Sequence, residues 1–398
     1  MKINFTENFF KRTWAQINLD CIDYNFKSIK SKLKKDTKIL CVLKADAYGH
    51  GAEFLVKEYE RLGADYFGVS NIDEALQLRK SGATKPILIF GYTPPEMAPI
   101  MSCHNISQAV FSIRYAKELE EICIKKGITL SIHIKIDSGM SRIGFFCQNK
   151  QGLDESESEI FAISRMRSLR LDGIFTHFSV SDDITQNKKY TLFQYKNFIE
   201  IINRLKNLGI DIPLKHCCNS GAILNFPEMQ LDMVRAGVIL YGLYPSAETK
   251  NKIHLKPTME LKSVISQIKT VPANTSLSYG RKFISDKEMK IASVTIGYAD
   301  GYSLKFSGNS EVLVCGKRAP VLGRVCMDQL MIDVSDIEDA HEKSEVTIFG
   351  KSKDAFLSVD ELAEKIGTIN YEIVCLIGKR VPRIYSRGNA IEGKVIYL

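Results

Sequence analysis

Residues 129–136, "TLSIHIKI", alternate along a run that contains neither glycine nor proline. Strand side chains point to opposite faces in turn, so Ile132, Ile134 and Ile136 share one face, while His133, Lys135 and the following Asp137 share the other. The isoleucine face suits a layer of covering helices. The opposite face has to look into an interior that accepts charge. Burying an unpaired lysine costs roughly several kcal/mol, so Lys135 is expected to be paired or chemically modified.

Seven further short apolar runs lie on either side of this one: 39–43, 66–69, 87–90, 108–111, 172–178, 214–218 and 233–241. Between them lie amphipathic stretches such as "IDEALQLRKSG", "SIRYAKELEEICIKKG" and "LFQYKNFIEIINRLKNLG", with apolar spacings of three and four and a terminal glycine. Eight strands alternating with helices fit a (β/α)8 TIM barrel, which takes roughly 250 residues. A doubly wound sheet is the alternative, but the first strand-to-helix turn lacks G-x-G-x-x-G. From about residue 256 the texture changes to β-rich runs punctuated by glycine, such as "KIASVTIGYADGY" and "EVLVCGKRAPVLGRVCMDQLMIDVSD". One helix stands out there: "SVDELAEKIG" has Ser358 and Glu361 in capping-box spacing and ends at Gly367. The expected organisation is a barrel over 15–255 followed by a mainly-β domain over 256–398, with residues 1–14 packing on the latter. "TWAQINLD" alternates like a strand and could join either domain.

Composition narrows the function classes. The chain has 398 residues, 45% of them apolar and 25% charged, as in ordinary globular proteins. A net charge of +8, spread along the chain, gives no basic patch for nucleic acid. No apolar run reaches the ~18 residues of a membrane span. The start, "MKINFTENFFKRTW", carries Glu7 and no continuous apolar core, which makes it a poor secretory signal. Ten scattered cysteines without C-x-x-C, and seven histidines without metal-ligand spacing, imply reduced thiols, a cytoplasmic location and no metal.

A barrel carries its active site at the C-terminal ends of its strands. Polar residues collect there: Lys44 after the first strand, Arg142 after the fifth, His177 at the end of the sixth, Asn219 and Ser220 after the seventh, and Arg235 in the eighth. Lys44 closes "ILCVLKADAYGHGA" (39–52), where a solvated lysine would more naturally sit further out in the loop.

"VLKADAYGHGA", "HIKIDSGMSRIGF", "GIFTHFSVSD", "HCCNSGA", "VRAGVILYG", "LSYGRKF", "IGYADGY", "GRVCMDQLMID", "INYEI" and "KRVPRIY" resemble, in order, the motifs of the alanine racemase family. They run from about residue 39 to residue 385, nearly the whole chain. The resemblance implies a pyridoxal 5'-phosphate enzyme that interconverts L- and D-alanine and supplies D-alanine for peptidoglycan. It also implies a homodimer with active sites shared between subunits. By the same resemblance Lys44 forms the Schiff base with the cofactor, and Lys44 and Tyr279 are the two catalytic bases on opposite faces of the substrate. His177 supports Tyr279 and contacts Arg235. Arg235 faces the pyridine nitrogen as a permanent cation, giving a weaker electron sink that favours prompt reprotonation. Tyr48, Ser220, Tyr371 and the backbone N–H groups of Gly237 and Val238 match phosphate contacts, and Asn219 belongs to the same cofactor-binding loop. Arg142 matches the residue near the cofactor's phenolic oxygen and the substrate, and Met327 matches a backbone contact to the substrate carboxylate. Lys135 matches a lysine that many relatives carry as a carbamate.

Some positions depart from the family pattern. Ser141 stands where glycine is common, and Leu304, with Lys305 beside it, stands near an arginine of the substrate gate. Asp300 reads as a turn residue in Asp-Gly. Cys217 and Cys218 read as barrel fillers, and His133 and His216 receive no role. The alternatives are a racemase of another small amino acid such as serine, against which Tyr371 narrows the pocket, and a non-catalytic pyridoxal-phosphate-binding protein, which would not need a β domain or Tyr279.

Overall fold

Eight parallel strands, Lys38–Val42, Tyr66–Val69, Ile87–Ile89, Ile106–Val110, Leu130–Asp137, Leu169–Phe175, Leu214–His216 and Met233–Ala236, carry the short apolar runs. In the computed structural model, which describes residues 11–397, each pairs with its successor as far as the seventh. The eighth returns to the first, with Val234 opposite Ile39. Two backbone bonds, Asp232 N–H to Lys215 O at 3.1 Å and Arg235 N–H to Cys218 O at 2.9 Å, join the seventh strand to the eighth. The result is a nearly closed barrel.

The helices between the strands begin where polar side chains take up unpaired backbone N–H groups. Asn71 accepts from Glu74 N, Ser112 from Tyr115 N, Asn149 from Gly152 N and Asp183 from Gln186 N. Helix Ile113–Lys126 ends on Gly127 at φ 64°, where glycine avoids the Cβ penalty. Several strand limits differ from the sequence pattern: the sixth strand ends at Phe175, two residues before His177, and the seventh ends at His216. The sixth strand starts earlier, at Leu169, because Arg170 and Asp172 pair with each other on its exposed end and hide the alternation. The eighth ends at Ala236, because Gly237 (φ −114°, ψ −109°) breaks it and a 3-10 turn over Val238–Tyr241 follows.

This barrel unit comprises Ile22–Ala47 and Ala52–Lys256. A second compact unit contains, among the described residues, 11–21, the segment Tyr48–Gly51 and 257–397. Its sheet has ten strands in which Met259–Val271 is central. Strand Thr13–Asn18, which straddles the expected boundary at residue 15, lies here, antiparallel to Met259–Val271 and parallel to Arg383–Arg387. Residues 1–10 of the expected N-terminal segment lie outside the described residues. Helix Val359–Ile366 has the Ser358 cap and the Gly367 stop that its spacing implies. A separate two-stranded hairpin, Ser276–Leu277 with Phe283–Ile284, is anchored by Leu277 packing with Val271, Met289, Ile291 and Leu322.

Candidate active site

Within the barrel unit, Lys44 follows the first strand by two residues and opens an unusual turn. Ala45, Asp46, Ala47 and Tyr48 all have φ between 52° and 54°. Four successive non-glycine residues in the left-handed region cost about 1–2 kcal/mol each, and such outliers concentrate at functional sites. Side chains brace the turn. Glu74 Oε1 accepts from Ala45 N at 2.7 Å, its Oε2 accepts from Ser70 N at 2.7 Å, and Asp46 Oδ1 accepts from Ala52 N at 2.8 Å.

Inside the barrel, Phe175 is the common neighbour of the charged groups. Lys135 Nζ lies 4.8 Å and the Arg235 guanidinium 5.5 Å from its ring centroid, and His216 stacks on it at 4.9 Å. Lys135 is buried and, among the described residues, forms no ion pair. Burial, followed by the charges of Arg235 and Arg142, pushes its ammonium well below the ordinary lysine range, with Asp137 opposing. Asp137 itself turns over the end of its strand. Its Oδ1 accepts from Gly139 N, Met140 N and Ser141 N at 3.1, 3.0 and 2.9 Å, fixing the turn that presents the exposed Arg142. Ser141 takes φ 56° there, which explains why glycine suits that place.

Arg235 is 3% exposed and held without a carboxylate among the described residues. Its NH1 reaches His216 Nδ1 at 3.0 Å and His216 O at 3.1 Å. NH2 donates to Thr176 O at 2.7 Å and Cys217 O at 3.0 Å, with His177 Nδ1 at 3.4 Å. These contacts engage the four N–H groups of NH1 and NH2, and the Nε–H forms no hydrogen bond among the described residues. Burial lowers the Arg235 pKa to about 10, which still leaves it a cation. His177 and His216 are driven well below the ordinary histidine range, first by burial and next by Arg235, so both rings are neutral.

Ser220 and Gly237 meet at the ends of the seventh and eighth strands, where Gly237 N–H donates to Ser220 Oγ at 3.0 Å. The hydroxyl proton remains available to an anion, and Val238 follows at the start of its 3-10 turn. Asn219 engages its amide within the protein. Its Oδ1 accepts from Ala222 N and Ser181 Oγ, and its Nδ2 donates to Phe178 O, so it shapes the loop. Cys217 and Cys218 each donate to Met229 O, as fillers would.

The remaining candidates belong to the β unit. Tyr279 sits at the tip of the small hairpin, 70% exposed, between Ser278 at φ 64° and Gly280 at φ 71°. Ser278 Oγ donates to Arg324 O at 2.6 Å and lies 3.5 Å from Cys326 Sγ. This ties the hairpin to the loop that carries Met327, which is 52% exposed. The rings of Tyr48 and Tyr371 face each other at 6.1 Å. Burial raises the Tyr48 phenol well above its ordinary value, keeping it a hydrogen-bond donor.

Other residues gain roles that the sequence does not show. Arg383, fully buried, donates from Nε to Gly49 O at 2.8 Å, and Tyr385 OH donates to His50 O at 2.9 Å. Together they grip the segment that follows the left-handed turn. Asp300 is more than a turn residue: it is fully buried and takes a bidentate pair of bonds from Arg12 at 2.9 and 3.0 Å. His133 and His216 lie in contact through Nδ1 and Nε2 at 3.1 Å, inside the barrel and on the same interior as Lys135. The inward alternation of "HIKID" was the available signal for His133. Among the described residues no group of His, Cys, Asp and Glu could hold a metal ion, and no helix is long and apolar enough to cross a membrane.

The donor set fits pyridoxal phosphate. A primary amine stands at a strand end, a hydroxyl and backbone N–H groups meet where barrels bind phosphate, and a buried guanidinium keeps one N–H unengaged. Comparison with known proteins points the same way. The profile of the alanine racemase N-terminal domain matches residues 17–245, and that of the C-terminal domain matches residues 258–385. "Alanine racemase 2" of Caldanaerobacter subterraneus subsp. tengcongensis is 44% identical over 383 residues, covering 96% of this chain and 97% of that one. "Alanine racemase 1" of Clostridium acetobutylicum is 45% identical over 379 residues, covering 95% and 96%. Among solved structures, alanine racemase of Clostridium difficile 630 superposes with a TM-score of 0.92 at 40% identity, over 98% of this chain and all (100%) of that chain. The Bacillus anthracis alanine racemase with bound L-Ala-P gives 0.92 at 35% identity, over 98% and 99%. A barrel and a β-rich unit, matched in order along almost their whole length by such relatives, mean that the chain belongs to the alanine racemase family.

Proposed function

We propose that this chain is a pyridoxal-phosphate-dependent isomerase that interconverts L- and D-alanine by a two-base mechanism. The observation that carries the reading is Arg235: a buried cation that no carboxylate neutralises, with its Nε–H unengaged among the described residues. Such a group holds the cofactor's pyridine nitrogen without protonating it. The cofactor, when bound, supplies the electron sink that lets the α-proton leave.

The residues divide the rest of the work. Lys44 would hold the cofactor and supply the amine base on one face of the substrate Cα. Tyr279 exchanges a proton on the opposite face. Ser220 through its hydroxyl proton, Val238 through its backbone N–H, and the hydroxyls of Tyr48 and Tyr371 would hold the phosphate, while the Gly237 N–H, matched to the same role, orients Ser220 Oγ. Met327 N–H and Arg142 orient the substrate carboxylate and the cofactor's phenolic oxygen. Lys135, whose neutral amine is favoured by burial and two arginines, would be a nucleophile for carbon dioxide, giving a carbamate and a proton. The resulting anion would then hold Arg142. The enzyme acts as a homodimer with shared sites, in the cytoplasm, supplying D-alanine for peptidoglycan.

Incubating the cofactor-loaded protein separately with L-alanine and L-serine, with chiral chromatography of the products, tests the reading. D-alanine should accumulate to an equal mixture. Faster formation of D-serine would shift the substrate assignment, and no D product at all would sink the activity.

A further inference from the structure

Arg235 is an obligate donor, so the direction of every hydrogen bond leading away from it is fixed. His216 Nδ1, 3.0 Å from NH1, has to offer its lone pair, and a neutral ring then carries its proton on Nε2. That Nε2–H points at His133 Nδ1, 3.1 Å away, which in turn has to be bare. His133 therefore carries its own proton on Nε2, a buried atom with no hydrogen-bond partner among the described residues. Beside it stands the ring of Tyr66, edge to face at 6.3 Å. Both histidines are fully buried. The charged groups acting on the pair are Arg235 and Lys135, with Asp172 on the far side of His133.

The arrangement is built into the barrel wall. His133 and Gly173 face each other on neighbouring strands, and the sheet slips register between Ile132 and His133 to admit the ring. A side chain on Gly173 would collide with the imidazole. His216 is stacked flat on Phe175, with an interplanar angle of 5°, so its ring cannot tilt without losing that contact.

We propose that His133 and His216 are positioning residues: a one-way chain of two neutral imidazoles that locks NH1 of Arg235 and so leaves Nε–H as the donor aimed at the cofactor. The functional part rests on the reading of Arg235 given above; the tautomer part does not. Without His133, the Nε2–H of His216 loses its acceptor. Arg235 still keeps Nδ1 bare, but the ring is no longer held at its Nε2 end and can shift, which loosens its grip on NH1.

The test uses the cofactor-loaded protein with nitrogen-15 in its histidines. Both rings should report the neutral Nε2–H tautomer near neutral pH. His133→Leu should leave His216 in the Nε2–H form but move its ring nitrogen signals, because Nε2–H loses its acceptor, and lower kcat by roughly tenfold to a hundredfold, with KM nearly unchanged. His133→Asn, whose amide oxygen takes the place of Nδ1, should restore the His216 ring signals and most of kcat. An Nδ1–H or doubly protonated His216 in the unaltered protein overturns the proposal, even if His133→Leu fails to fold. So does a His133→Leu protein whose His216 signals do not move. Loss of racemase activity in the unaltered protein would instead overturn the function while leaving the tautomers to decide the chain of imidazoles.

Discussion

A Cβ on Gly173 would fall 2.3 Å from His133 Nδ1, so the imidazole ring stands where any other residue's side chain would begin. Neither ring nor backbone has room to yield, because His133 is also in contact with His216 and wholly buried. Gly173→Ala is expected to destabilise the fold by about 1–3 kcal/mol, the range for overpacking a tight interior. Urea unfolding followed by circular dichroism measures it. An unchanged midpoint would mean that the ring is not fixed in this position.

The buried histidines set an acid limit. Burial, only partly offset by Asp172, brings His133 down to about 4, while the unfolded chain has a histidine near ~6.5. Between these values the unfolded state binds a proton that the native state refuses, so stability rises with pH across the window. Acidification through the window should cost about 3 kcal/mol from His133 alone, and His177 and His216 act in the same direction. Urea midpoints compared between about pH 7 and about pH 4.5 should fall steeply, and less so in His133→Asn. Equal slopes in the two proteins would remove His133 from this account.

Lys44 has a simpler expectation. Lys44→Ala should retain the fold, since the side chain lies beyond the strand end and the left-handed turn is braced by Glu74 and Asp46. Racemisation should disappear, together with the visible absorbance of covalently held cofactor. Normal turnover with an unaltered spectrum would remove Lys44 from the chemistry.

Lys135 is expected to carry a carbamate. The amine is buried above Phe175, among the described residues it forms no ion pair, and two arginine charges favour its neutral, reactive form. Carbon-13 carbon dioxide should give a carbamate signal that is absent in Lys135→Ala, and that variant should recover part of its lost activity with added short carboxylates. A fully active sample without the signal would contradict the assignment.

What the sequence reveals and what it hides follow from range. The eight barrel strands, the capped helix at Ser358 and the lysine at the strand end are local patterns, readable from periodicity and turn residues. The four left-handed residues after Lys44 are not, because Ala45 and Ala47 carry no marker of positive φ; their conformation depends on Glu74, 29 residues from Ala45. His133 and His216 are separated by 83 residues and Arg12 and Asp300 by 288, so only the closed folds bring them together. Strand Thr13–Asn18 was legible as a strand, but its sheet was decided by pairing with Met259–Val271. The sequence motifs gave Asn219 a cofactor role; its amide bonds to Ala222 in its own loop and to Ser181 and Phe178 after the sixth strand, partners that no local pattern reveals.

The two proposed bases lie in different units of the chain. Lys44 belongs to the barrel unit, while Tyr279 is at the exposed tip of a hairpin in the β unit, beside Ser278, whose hydroxyl donates to Arg324 O. The two proposed bases would have to reach one Cα from opposite faces, and an exposed tyrosine at a hairpin tip is suited to serve a second copy of the chain. In a two-fold dimer each site would then combine the lysine of one protomer with the tyrosine of its partner. Lys44→Ala and Tyr279→Ala homodimers should each be nearly inactive. Mixed under conditions of subunit exchange, they should recover activity, because each mixed dimer holds one site with both bases and one with neither. Random mixing of equal amounts makes about half the dimers mixed, each with one intact site of two, so recovery should approach roughly a quarter of the unaltered enzyme. No recovery, despite exchange demonstrated by native mass spectrometry, would mean that Tyr279 serves the barrel of its own chain.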